Sequence, residues 1–180
     1  TLYFYRIRAM SAGGFSAYSN EANATTLPNA PTSPVSLKAA VISHVQIKLA
    51  WSDSASNKIG FRIERKINGS VYAVIDTVGA NAVSYQDNGL NPDTEYFYRV
   101  RTYNAGGQSA PSNEVSARTL PTPPAPPVNL TALAVSGSQV DLAWADSSNN
   151  ENGFKIERRT ALGNFVEVAT TGPNVTRYAN

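Results

Sequence analysis

Apolar and polar residues alternate along most of this chain, and the alternation has period two. Val45, Ile47, Leu49 and Trp51 fall on one side, with His44, Gln46, Lys48 and Ala50 between them. Such a run, rich in β-branched and aromatic residues, predicts a half-buried strand. GFRIERK at 60–66 predicts another, with Phe61 and Ile63 inward and Arg62, Glu64 and Lys66 outward. Val71 to Val78 gives a third, less regular strand, and Val83 to Tyr85 a short fourth. Further on, Tyr96, Tyr98 and Val100 face in while Phe97, Arg99 and Arg101 face out. Leu37, Ala39 and Val41 supply an opening strand, and Glu114 to Thr119 a closing one. Turn formers separate them at Ser56-Asn57, Asn68-Gly69, Asp87-Asn88-Gly89 and Ala105-Gly106-Gly107. About seven short strands in roughly 90 residues, without a helical period, imply a two-sheet antiparallel sandwich.

The same pattern recurs at a fixed offset of 93 positions. Tyr96 repeats Tyr3, Arg99 repeats Arg6, and Gly106 repeats Gly13. Further along, Trp144 repeats Trp51, and Gly153-Phe154-Lys155-Ile156-Glu157-Arg158 repeats Gly60-Phe61-Arg62-Ile63-Glu64-Arg65. A gapless repeat of domain length means tandem domains, each with its own core. Two proline-rich stretches punctuate it, PNAPTSP at 28–34 and PTPPAPP at 121–127. Proline fixes φ and removes a donor, so both read as short, extended, semi-rigid connectors.

Three features carry a family likeness. They are the strand-end Trp51, the run from Gly89 to Asn104, and the segment Gly107 to Asn113, joined by the matching stretches Trp51–Arg65 and Trp144–Arg158. Together they resemble tandem fibronectin type III domains of the bacterial extracellular type. The resemblance implies an all-β fold: seven-stranded antiparallel, immunoglobulin-like sandwiches, one complete and two partial. Strands A, B and E would form one sheet and C, C′, F and G the other. It also implies the division of the chain. Residues 1–27 would be strands F and G of a preceding repeat, and 28–120 a complete domain. Residues 121–180 would be a linker and strands A to E of a following repeat. Tyr96, with Leu90 before it, would form a tyrosine corner, its hydroxyl bonded to upstream backbone. Tyr3 would be the equivalent residue of the preceding repeat.

Composition removes several function classes. With 15 basic and 13 acidic residues the net charge is only +2, so there is no electrostatic case for nucleic acid or an anionic membrane. No apolar run approaches the ~20 residues of a membrane-spanning helix, so membrane insertion is not expected. Cysteine is absent and His44 is the only histidine, which removes a Cys-His pair and a zinc cage within these residues. His44 itself begins an alternating strand on its outward side and reads as a surface residue, not as the base of a Ser-His-Asp triad. No catalytic residue, cofactor site or metal site is therefore expected. Gly13-Gly14 and Gly106-Gly107 read as hairpin turns, not as phosphate loops.

The loop DSSNNEN at 146–152 gathers oxygen ligands, but its counterpart DSASNKI at 53–59 replaces Glu151 by Lys58, and a polar turn is the expectation. Glu64 is expected to face Arg99 or Arg101 as an exposed cross-strand pair of about 0.2–1 kcal/mol, and Glu157 to have the same option. Phe4, Tyr18, Phe97 and Tyr103 are the candidate exposed aromatics for stacking on a sugar or a partner protein. Asn23, Asn68, Asn129 and Asn174 each begin an N-x-S/T sequon, a candidate glycosylation site in a secreted eukaryotic chain.

The sequence thus predicts a non-catalytic structural or spacer repeat of an extracellular or cell-surface protein or fibre. Neighbouring copies, or the continuing chain, would complete the half-domains head to tail. The alternative is a carbohydrate- or protein-binding accessory module of a secreted hydrolase or adhesin, with polysaccharide or a cell-surface protein as partner.

Overall fold

The structure, a computed structural model, describes every residue from Thr1 to Asn180. It contains only β-strands and irregular segments, and every strand pair is antiparallel. Two bodies can be separated, Thr1–Leu120 and Pro121–Asn180.

In the first body, residues 1–27 carry two strand pairs. β1 (Leu2–Tyr5) pairs with β4 (Ala22–Thr25), and β2 (Met10–Ser11) turns through Ala12-Gly13 into β3 (Gly14–Phe15). Tyr3 and Tyr5 remain about half exposed here. Residues 28–120 build a full sandwich. One sheet takes β5 (Val35–Ser43), β6 (Gln46–Ser52) and β9 (Ser84–Asn88) in the order β5-β6-β9. The other contains β7 (Gly60–Ile67), β8 (Ala73–Gly79), β10 (Glu95–Asn104), β11 (Gly107–Gln108) and β12 (Val115–Arg118). β10 is its hub, pairing with β7 on one side and with β11 and β12 on the other.

Period two places the core. Leu37, Ile47, Leu49 and Trp51 meet Phe61, Ile63, Tyr96, Tyr98 and Val100, all buried. Fully burying such a side chain stabilises the fold by about 1.5–3 kcal/mol. The Trp51 and Phe61 rings meet edge to face, 5.3 Å between centroids. Val45 departs from the expected inward pattern. It lies in the turn between β5 and β6 and is exposed, because the strand starts only at Gln46. Val41, also expected inward, is exposed near the end of β5. The third strand begins at Ala73 rather than Val71, since Ser70 Oγ and Ser70 N–H both bond Ile67 O and close a turn there.

Two side chains tie the sheets' edges. The Asn91 N–H donates to Tyr96 Oη at 2.9 Å, the tyrosine corner expected above. Asn113 forms a two-pronged clasp on β5. Its Oδ1 accepts from Leu37 N–H and its Nδ2 donates to Leu37 O, each at 3.0 Å. The clasp replaces a ladder bond just where β5 bulges, between Val35 and Lys38, with Ser36 at φ 56°. Asn113→Ala should therefore destabilise the domain by about 1–3 kcal/mol, since both Leu37 groups lose their partner. Urea unfolding at unchanged slope measures this.

The second body contains β13 (Val128–Ser136), β14 (Gln139–Ala145) and β17 (Arg177–Ala179) in one sheet, and β15 (Phe154–Arg158) with β16 (Val166–Thr171) in the other. Its strands repeat β5 to β9 in detail. Asn129 takes φ 56° at a β13 bulge equivalent to Ser36, and Trp144 meets Phe154 edge to face at 5.4 Å. Its inner face is more open: Leu130 is exposed, whereas its counterpart Leu37 is buried.

Candidate functional site

The outward face of the β8-β7-β10 sheet carries the densest set of interacting polar side chains. Glu64 on β7 stands opposite Arg99 on β10, a register fixed by eight successive pairs from Tyr96–Ile67 to Tyr103–Gly60. Glu64 is not an exposed partner of one arginine. It is 7% exposed and is bonded by Arg99 Nε on one side and Arg101 Nε, at 3.2 Å, on the other. The long arginine stems from the neighbouring strand cover it. Arg101 also donates to Ser109 O at 2.8 Å, extending the network to the outer edge of the sheet. Glu157, the repeat counterpart of Glu64, is exposed.

Aromatic rings on this face are capped by cations. Lys66 Nζ lies 5.1 Å from the Phe97 centroid, and the Arg62 guanidinium lies 5.1 Å from that of Tyr103. In residues 1–27, Arg6 stacks 3.8 Å from Tyr18, and Arg8 3.9 Å from Phe15. Of the four candidate aromatics only Phe4 has no cation over its ring, and it stands opposite Asn23 in the β1–β4 ladder. The structure adds Tyr72, sandwiched by Arg99 at 3.9 Å and Lys66 at 4.7 Å, with its hydroxyl donating to Glu114 at 2.5 Å. Tyr72 falls in the irregular run Val71 to Val78 and just before β8 itself, where the alternation is too weak to assign its side. Hydrogen bonds from Tyr72 and Lys66 hold the Glu114 carboxyl below the usual range.

A second cluster lies inside. Asp87 was expected in a turn, but β9 continues through Asn88 and buries it at 4% exposure. Arg65 Nη1 donates to both its oxygens, at 2.9 and 2.8 Å, and the Tyr98 hydroxyl donates at 2.8 Å. Burial, then the bond to Asp87, pushes the Tyr98 phenol far above its ordinary 10.0, and burial pushes Tyr85 up to about 12. A phenol held protonated in the fold stabilises it fully below the unfolded pKa of 10. That contribution is lost as pH rises through the raised folded values. Urea midpoints should thus stay level up to about pH 10 and fall steadily towards 12. Tyr98→Phe should reduce the steepness of that fall.

The connector 28–34 is the third arrangement. Asn57 Nδ2 and Asn104 Nδ2 both donate to Asn29 O, at 3.0 and 2.8 Å. Thr102 Oγ1 donates to Thr32 O at 2.6 Å, and Ser33 Oγ to Ala110 O at 2.9 Å. Pro31 and Pro34 are buried. Gly106 sits beneath Pro28 so closely that a Cβ there would lie 1.6 Å from Pro28 O. In the second body Asn150, the counterpart of Asn57, donates to Thr122 O at 2.7 Å.

The loop 146–152 satisfies its own oxygens. Ser148 N–H bonds Asp146 Oδ1 at 3.0 Å, while Ser148 Oγ and Asn174 N–H donate to Glu151. These bonds, that from Ser148 foremost, hold the Glu151 carboxyl below its ordinary range. In the matching loop, Lys58 Nζ pairs with Asp53 at 2.8 Å. No three side chains of the metal-ligating types converge. The sequon asparagines lie apart: Asn23 in β4, Asn129 in β13, and Asn68 and Asn174 in turns, all exposed.

A model of the fibronectin type III domain matches residues 29–118. The chain belongs to the fibronectin type III family. In that family's lettering β5, β6 and β9 are strands A, B and E, and β7, β8 and β10 are C, C′ and F, with β11 and β12 forming G. The chain is 31% identical over 157 residues to exoglucanase B of Cellulomonas fimi, covering 82% of this chain and 14% of that protein. To chitinase A1 of Niallia circulans it is 29% identical over 150 residues, covering 78% and 21%. To contactin-3 of Rattus norvegicus it is 27% identical over 169 residues, covering 88% and 16%. The chain spans about a fifth or less of the length of these relatives. A fibronectin type III domain is itself a non-catalytic module, also where it is part of an enzyme.

Proposed function

We propose that these tandem fibronectin type III repeats act as a spacer in an extracellular or cell-surface multidomain protein, setting the reach of whatever they join. One observation carries this reading: the connector is fastened to the domain that follows it, by the same asparagine bond in two repeats. A free proline-rich linker is semi-rigid at best, whereas a fastened one transmits direction. The chain has no cysteine, so spin labels can be placed at Leu27→Cys and Thr77→Cys alone. The distance distribution between them should be narrow, and broad in Gly106→Val, which drives a side chain into Pro28 O. A distribution already broad without the valine would overturn the spacer reading. Confinement of the protein to the cell interior, by fractionation of source cells, would overturn the location.

The partners that fit best are repeats of the same kind. In residues 28–120, β10 presents Tyr96, Tyr98 and Val100 to the inner face that Trp51, Phe61 and Ile63 help to form. Residues 1–27 present Tyr3, Tyr5 and Ile7 uncovered, and residues 121–180 present an inner face lined by Leu142, Trp144, Phe154 and Ile156. In this reading each is completed by strands of a neighbouring repeat, from the continuing chain or from another copy. A stable, cooperatively folding isolated 121–180 segment would contradict it.

The second reading, an accessory module binding polysaccharide or a cell-surface protein, draws on the names exoglucanase, chitinase and contactin among the relatives. The cation-capped rings of Tyr18, Phe97 and Tyr103 weaken it, because stacking a sugar requires displacing an arginine or lysine first. Retention on cellulose or chitin that Phe97→Ala abolishes would favour it over the spacer.

A further inference from the structure

We propose that Asn68 is a site of spontaneous deamidation and isoaspartate formation, selected by the fold from three Asn-Gly pairs. In this reaction the backbone nitrogen of the following residue gives up its proton and attacks the asparagine Cγ. The new N–Cγ bond closes a five-membered imide, the bond from Cγ to the side-chain nitrogen breaks, and ammonia leaves. Water then opens the imide at either carbonyl, giving aspartate or isoaspartate, with no change of oxidation state. The reaction needs a following residue without a Cβ to obstruct the attack, a side-chain amide free to swing onto the backbone, and an unengaged backbone N–H.

Asn68-Gly69 meets all three conditions. Both residues are exposed in the turn joining β7 to β8, and the space around Gly69, at φ 76°, is open. Neither the Asn68 amide nor the Gly69 N–H has a hydrogen-bond partner, because the turn is held by its flanks. Ser70 N–H donates to Ile67 O at 3.1 Å, and the Ser70 hydroxyl both accepts from Ile67 N–H and donates to Ile67 O. The central pair is therefore free to distort without breaking any bond of the turn.

The other two pairs are restrained. Asn88 ends β9 with its amide tethered: Oδ1 accepts from Gln46 Nε2, and Nδ2 donates to Gln86 O at 3.2 Å. Gly153 is pressed against the neighbouring strand, where a Cβ would lie 2.0 Å from Thr171 O, so its nitrogen cannot travel towards Asn152. Asn68 also opens a sequon, and the nitrogen lost as ammonia is the atom a glycan would occupy, so deamidation erases that acceptor. The product puts a carboxylate in the turn and, as isoaspartate, an extra methylene in its backbone.

Peptide mapping of the full chain, incubated folded in mildly alkaline buffer at physiological temperature, tests the proposal. Deamidation at Asn68 should be at least about ten-fold faster than at Asn88, the effect of freeing an amide from two ordinary hydrogen bonds. It should also outrun Asn152, and an isoaspartate methyltransferase should label the Asn68 peptide. In concentrated urea the three rates should converge, since the same dipeptide is then equally free at each position. A folded chain in which Asn68 reacts no faster than Asn88, or rate ratios unchanged by urea, would overturn the proposal.

Discussion

Asp87→Ala lowers the unfolding free energy of the 28–120 domain by about 3–5 kcal/mol, the cost of removing one partner from a buried ionic cluster. The aspartate is buried and accepts three hydrogen bonds, two from Arg65 and one from Tyr98. Alanine leaves the Tyr98 hydroxyl, wholly inside the core, with no acceptor, and leaves Arg65 with only partial access to water. Asp87→Asn keeps an acceptor for Tyr98 and should lose less. Urea unfolding followed by tryptophan fluorescence measures both. A loss below about 1 kcal/mol for alanine would mean that water replaces the carboxylate and that the cluster is not the tie it appears geometrically.

Phe61→Ala should be of similar size, about 3–5 kcal/mol, through lost burial plus the cavity left beside Trp51. With two tryptophans in the chain, Trp144→Phe leaves Trp51 as the fluorescent reporter of this domain, and urea unfolding in that background measures the loss. A loss below about 2 kcal/mol would show that the core closes over the cavity.

Most of the architecture was legible because period-two alternation is a local property. Phe61, Ile63, Tyr96, Tyr98 and Val100 all face inward as their spacing requires. What escaped was everything that depends on a neighbour in space. Glu64 looked like an ordinary outward residue, and its burial comes from two arginines about 35 residues away, placed beside it by the β7–β10 register. Asp87 sat in a run that favours turns, Asp-Asn-Gly, and the ladder with Gln46 and Ile47 overrode that preference. Val45 stands at the head of an alternation that becomes strand only one residue later, because the chain is still turning out of β5 there. Phe97 and Tyr103, expected to be exposed, are half-buried, because nothing in one strand's sequence reveals which cation from the next strand covers the ring.

The Asn113 clasp also decides how the domain would carry load. Tension along the polypeptide passes the fastened connector, reaches β5 just after Pro34, and leaves at Leu120, just after β12. Asn113 lies two residues before β12, nearer the start of β5, and it grips Leu37 through two bonds. At the far end Leu120 N–H reaches Ser43 O at 3.4 Å. Pulling therefore slides β5 against β12 lengthwise, so that these contacts are sheared together rather than opened one after another. A single asparagine amide acts as the shear pin between the first and last strands of the domain.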